Sequence, residues 1–111
     1  MHSMLQFWEF YVTQHSKPLT RWWHFAGTAS ALLLILAASV SATWWLALIG
    51  IALGYSLAWY SHFFIEGNTP ASFGHPFWSF VCDWRMFALM FSGRMDAEVQ
   101  RIQEFQRIKL Y

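Results

Sequence analysis

The sequence predicts an all-α integral membrane protein in which a two-helix transmembrane hairpin carries flanking interfacial or amphipathic helices. Three observations predict it. Residues 22 to 65 contain no Asp, Glu, Lys or Arg. A hydrocarbon core about 30 Å thick needs roughly 20 apolar residues per crossing, so that stretch fits two crossings and a tight turn near Ala42 and Thr43. Hydrophobic residues make up 57% of the 111-residue chain and charged residues 12%, about half the charged share of soluble domains. The eight tryptophans suit anchoring at a membrane–water boundary. A single buried core helix of that length would be out of scale for a small globular domain. A signal peptide cleaved after Val40-Ser41-Ala42 is the more serious rival, but it would leave a second apolar span starting at Trp44-Trp45 and discard an aromatic amino-terminal segment.

The first element follows from Ser3 and Gln6, which have the capping-box spacing and open a helix from Met4 to about Gln14, crowded with Phe7, Trp8, Phe10 and Tyr11. Its aromatic content places it in the interface. Pro18 disfavours helical geometry at Lys17, so a break near Ser16-Lys17 lets the chain change direction, with His15 at the break. The first crossing then runs from about Trp22 to Ser41 and the second from about Trp44 to Phe64, with Trp22, Trp23, Trp44, Trp45, Trp59 and Tyr60 at belt positions. Both outer ends share one side. Lys17, Arg21, Arg85 and Arg94 lie on that side and the turn carries no cation, so the positive-inside rule puts both termini in the cytoplasm.

Gly50-x-x-x-Gly54, continued by Ala58, allows close backbone approach in lipid. Gly27 and Ala31 offer the matching surface on the first crossing, and the same motif also allows a homo-oligomer through Gly50 and Gly54. Each four-residue step drifts by roughly 40° around a helix, so Gly54, Ala58, His62 and Glu66 trace a slanted ridge. Gly67-Asn68-Thr69-Pro70 stops the helix. From Phe77 to Phe91 the apolar residues keep the spacing of one helical face. Asp83 and Arg85 oppose a third free crossing, because central charges cost about 2.5 to 3.5 kcal/mol each on insertion scales. An interfacial or re-entrant helix is expected there, with Asp83 and Arg85 forming a solvated or headgroup-facing patch. Residues 95 to 110 form an amphipathic helix, with Val99, Ile102, Phe105 and Ile108 opposite Glu98, Arg101, Glu104 and Arg107.

Several function classes lack support. The chain reads as a single domain of net charge +1 with no basic cluster for a nucleic acid. A lone cysteine, Cys82, forms no intramolecular disulfide. There is no Cys pair, no His-Glu-x-x-His and no Gly-rich phosphate loop. Cys82 reads as apolar packing, and Ser61, one residue from His62, points away from it.

Five polar side chains instead gather at the cytoplasmic end: His15, His24, His62, Glu66 and His75. A lone histidine at an interface usually just reaches headgroups; several brought to one depth from distant positions point to a shared site. His62 and Glu66, four apart, share a helical face, a spacing that suits joint ligation or a carboxylate orienting a ligating imidazole. Imidazole suits iron, zinc, copper or nickel, and two or more histidines with a carboxylate and open positions is the arrangement of non-haem Fe(II) oxygenases. Spacing leaves the metal open.

Phe10-Tyr11 followed by His15, Pro18, Arg21 and His24-x-x-Gly27, then His62-x-x-x-Glu66-Gly67-Asn68-x-Pro70-Ala71, resembles the family of small membrane proteins named for metabolism of phytosphingosine to odd-numbered fatty acids. The resemblance covers roughly Phe7 to Met95. Its characterised fungal relative is an endoplasmic-reticulum Fe(II)-dependent dioxygenase that acts on 2-hydroxy fatty acids in alpha-oxidation and removes one carbon. The resemblance implies His15, His24 and His62 as metal ligands and Glu66 as a fourth ligand or an orienting carboxylate, with catalysis at that centre. Ser61 and Thr69 stand where the family pattern has glycine and often a basic residue.

The expected activity follows from that likeness. Fe(II) held by the histidines would keep open positions where the carboxylate and 2-hydroxyl of an acyl chain chelate beside dioxygen, while the tail runs along the apolar hairpin. The product would be a fatty acid, or an aldehyde precursor of one, shorter by one carbon. The lipid bilayer is the expected partner and a bacterial inner membrane the expected location. Two other classes stay open at this stage. One is a haem-binding or electron-carrier protein in which His24 and His62 clamp a haem; the other is a non-catalytic membrane scaffold whose histidines make helix-end hydrogen bonds.

Overall fold

The computed structural model describes residues 3–109, all-α in secondary structure, so Leu110 of the expected last helix lies outside the described residues. The helices are α1 (Met4–Thr13), α2 (Pro18–Ser41), α3 (Trp45–Tyr60), α4 (Pro76–Phe91) and α5 (Met95–Lys109). A π-helical segment, Ser61–Glu66, prolongs α3, and a 3-10 turn, Ala71–Phe73, precedes α4. They form two compact units. One is Lys17–Pro70, and the other joins Met1–Ser16 with Ala71–Tyr111.

The Lys17–Pro70 unit is the hairpin. Two helices here are long and apolar enough to cross a membrane, Pro18–Ser41 with 24 residues and Trp45–Glu66 with 22; at 1.5 Å per residue the longer spans about 36 Å. The first crossing starts four residues earlier than Trp22, because Pro18 sits at the first helical position, where its missing N–H is no loss. Its other end turns where expected. Ala42 adopts a left-handed conformation (φ 54°) and the Thr43 amide donates to the Ala38 carbonyl at 3.0 Å.

Gly27, Ala31, Gly50 and Gly54 line the seam. A Cβ on Gly50 would lie 2.9 Å from Leu34 Cβ and 3.1 Å from the Ala31 carbonyl oxygen, so the small residues serve hairpin closure. The open ends are tied together as well: the Lys17 amide donates to Glu66 Oε1 at 3.0 Å and Lys17 Nζ to the Ile65 carbonyl at 2.8 Å. Along the outer faces Leu33, Leu36, Leu48, Ile51, Trp45 and Phe64 are exposed, as lipid contact requires.

The second unit packs α1, α4 and α5 around Phe7, Trp8, Tyr11, Val12, Cys82, Met86, Met95, Val99 and Ile102. Ser3 Oγ accepts from the Gln6 amide at 3.2 Å and starts α1. The aromatic face of α1 lies against protein and not among lipid headgroups: Phe7, Trp8 and Tyr11 are all buried. Gly93 (φ 75°) turns the chain into α5, whose first-turn Asp96 and Glu98 complement the helix dipole. On α4, Phe77, Phe80, Val81, Trp84 and Phe91 are exposed while Ser79, Cys82 and Met86 face inward. Its 16 residues extend about 24 Å, short of a bilayer crossing.

One expectation is corrected in this unit. Asp83 and Arg85 do not form one solvated patch: Tyr11 donates its phenolic hydrogen to the Asp83 carboxylate, whereas the Arg85 guanidinium lies 4.3 Å from the Trp8 ring centroid. Residues 83 and 85 are separated by roughly 200° around an α-helix, so they serve different neighbours. His75 stacks its ring on Trp78 (5.3 Å, 12°) and meets Phe7 edge-on at 5.3 Å.

Candidate metal centre

His24 stands in the second turn of α2, and His62 is the second residue of the π-helical segment after α3. Within the hairpin unit their rings meet edge to face, with Nε2 atoms 3.3 Å apart. Both are buried. The α2 side of the contact comes from the Gly27 face one turn on, and the α3 side from the ridge that Gly54 and Ala58 begin.

The π segment changes how His62 is held. Its carbonyl accepts from the Gly67 amide at 2.8 Å and the Asn68 amide at 2.9 Å, while Gly67 adopts φ 78°, a left-handed turn suited to glycine. That turn brings Asn68 back onto the ring, and His62 Nδ1 donates to Asn68 Oδ1 at 2.7 Å. With the hydrogen on Nδ1, the lone pair lies on Nε2, the atom facing His24. Metal-ligating imidazoles are typically anchored through the other nitrogen in this way.

His15 follows the carboxy-terminal end of α1 and is buried. Its Nδ1 lies 2.7 Å from the Tyr11 carbonyl oxygen. A carbonyl only accepts, so Nδ1 carries the hydrogen and the lone pair again lies on Nε2. Tyr11 also stacks its ring on that of His15, centroids 4.1 Å apart.

These residues fit a metal. As a donor set within the hairpin unit, buried His24 and His62 present two imidazoles that could hold an ion. Two nitrogens bound at about 2.1 Å and near a right angle stand about 3 Å apart, close to the His24–His62 separation. A further mark is an orphaned polar group: Thr20, one turn before His24 on α2 and fully buried, has no hydrogen-bond partner for its hydroxyl among the described residues. Buried hydroxyls without partners are uncommon and call for a ligand or water.

Glu66 is not one of that set; one of its oxygens accepts from the Lys17 amide at the start of α2. Ser61 donates to the Ala58 carbonyl at 2.6 Å. Burial pushes the Cys82 thiol up to about 11, which keeps it from acting as a nucleophile. Sequence reasoning gave no role to Asn68, Thr20 or Tyr11, although Tyr11 and Asn68 stand within the family motif; the one available signal for Thr20 was its four-residue spacing from His24.

A family model described as 2-hydroxy-palmitic acid dioxygenase Mpo1-like matches residues 1–95. The chain belongs to the Mpo1-like family. No curated protein and no solved structure matches it. The matched region of this Mpo1-like chain includes α1 to α4 and every histidine discussed above. The expected family is therefore the observed one, and its description names a dioxygenase.

Proposed function

We propose that this Mpo1-like protein is a membrane-bound non-haem Fe(II) dioxygenase that shortens 2-hydroxy fatty acids by one carbon. The observation that carries the reading is the convergence of His24 and His62 Nε2 at 3.3 Å, with His62 fixed from behind by Asn68. The family resemblance supplies His15 as the third ligand. Glu66 is not given the imidazole-orienting part, which Asn68 takes at His62; it holds the start of α2 through Lys17, and with it the turn that bears His24.

Bound iron would supply the one-electron chemistry that lets dioxygen react with a 2-hydroxy acid. The chain's own residues do the rest. Three imidazoles leave coordination positions open to the substrate's carboxylate and 2-hydroxyl, and the Thr20 hydroxyl offers a hydrogen bond to that polar head. Burial of the histidines keeps bulk water from the centre. The apolar hairpin gives the acyl tail a lipid-like path. A 2-hydroxy acid and dioxygen balance to the acid one carbon shorter, carbon dioxide and water, so the reaction needs no outside reductant.

A haem clamp between His24 and His62 is disfavoured by the seam itself. Gly27 and Gly54 touch backbone to backbone within a turn of His24, too close for a macrocycle between the helices. The bilayer is the partner of the exposed hairpin, and the aromatic face of α4 lies along its surface. The reading has both termini on the cytoplasmic side of a bacterial inner membrane, in keeping with Lys17, Arg21, Arg85 and Arg94 under the positive-inside rule.

The test is elemental analysis and product assay on protein purified without an affinity tag. Iron near one equivalent and an acid one carbon shorter than the substrate are expected. Activity retained in a triple substitution of His15, His24 and His62 would defeat the reading, and a metal-free, inactive wild type would point to a scaffold.

A further inference from the structure

Tyr11 touches His15 twice, through its carbonyl on Nδ1 and through its ring at 4.1 Å. His15 lies beyond the end of α1, where no helical hydrogen-bond ladder fixes its backbone on both sides. The orientation of its imidazole therefore depends on what holds Tyr11. That residue is 1% exposed, stacked on Trp8 with centroids 5.7 Å apart, and bonded through its phenol to Asp83, 72 residues away on α4.

Asp83 is a costly choice for this role. Burial raises its carboxyl to about 7, and its inward neighbours on α4 are Cys82, Met86 and Ser79. Replacing buried ionised groups by apolar ones is often neutral or stabilising, so stability alone gives little reason for an acid there. A hydrogen bond to a carboxylate is stronger and shorter than one to a neutral acceptor. It therefore holds a phenol more tightly than packing does.

We propose that Asp83 and Tyr11 are positioning residues for His15: Asp83 fixes the phenol, the phenol fixes the ring, and ring and carbonyl together aim the His15 Nε2 lone pair. The inference rests on the reading of His15 as a metal ligand. It concerns how tightly the centre binds its ion, not which substrate it takes.

Co(II) binding to the full-length protein tests it, with affinity and ligand-field absorption as readouts. Tyr11→Phe keeps the ring and the carbonyl and removes only the hydroxyl; Asp83→Asn removes the acceptor charge. Each should weaken Co(II) binding about tenfold, the lower end of the effect of outer-shell partners, and shift the absorption bands. The double variant should bind no more weakly than either single one, as expected for one shared interaction. Glu98→Gln, which alters the same unit through Trp8 and Arg101, should lower Tm and leave Co(II) binding unchanged. Wild-type affinity and bands in Tyr11→Phe would overturn the inference, and that variant carries the test by itself should Asp83→Asn fold poorly. A wild type that binds no Co(II) would instead sink the ligand reading, and this inference with it.

Discussion

Gly27 and Gly54 bring the two crossings into backbone contact: a Cβ on Gly27 would lie 2.8 Å from the Gly54 carbonyl oxygen, and one on Gly54 would lie 3.1 Å from that of Gly27. His24 precedes Gly27 by three residues, and Ala58 and His62 extend the ridge from Gly54. The close approach is thus what lets two imidazoles from different helices meet.

Gly27→Ala should force the helices apart at this point. An overpacked contact of this kind costs about 1–3 kcal/mol, and Gly54, being backbone, cannot rotate away. Thermal unfolding in detergent should show the loss, together with weaker metal binding. Gly74→Ala, where nothing lies within 4 Å of the added carbon, should change neither.

Ala42→Gly should stabilise the hairpin by about 1 kcal/mol. A left-handed conformation costs a Cβ-bearing residue roughly 1–2 kcal/mol, part of which glycine returns through its greater freedom when unfolded. Chemical denaturation would read the gain, and an unchanged or lower midpoint would count against strain at this turn.

Asn68→Ala should loosen His62 without unfolding the π segment, since the backbone bonds to the His62 carbonyl persist. Loss of an anchoring partner typically weakens metal binding about 10- to 100-fold. Metal titration should show this, and Asn68→Asp, which still accepts from Nδ1, should retain most of the affinity.

Asp83 predicts a pH dependence of stability. Its carboxyl rises from 3.8 to about 7, chiefly through burial and against the opposing bond from Tyr11. The folded chain therefore holds a proton that the unfolded chain releases. Its contribution to stability is complete below about pH 4 and lost as pH rises through about 7, with a slope of up to about 1.4 kcal/mol per pH unit between. Denaturation midpoints should fall across that window in the wild type, and Asp83→Asn should flatten the slope.

Much of the fold was legible because it depends on sums along the chain. The charge-free run from Trp22 to Ile65, the turn at Ala42-Thr43 and the small residues of Gly27, Ala31, Gly50 and Gly54 each depend on near neighbours or a fixed helical period. The bond that holds His62 was not legible in the same way. An α-helix continued past Ser61 would have carried Asn68 away from the ring; only the wider π turn, closed by left-handed Gly67, returns it.

The sequence by itself determined the solvent of this protein, its helical class and the identity of the imidazoles available to a metal, since hydropathy and periodicity are properties of residue order. Only the tertiary structure decided which nitrogen each imidazole presents, that the aromatic face of α1 is covered by protein, and that Asp83 serves Tyr11. Those outcomes depend on hydrogen-bond partners drawn from remote positions within each unit, at distances near 3 Å that no linear pattern encodes.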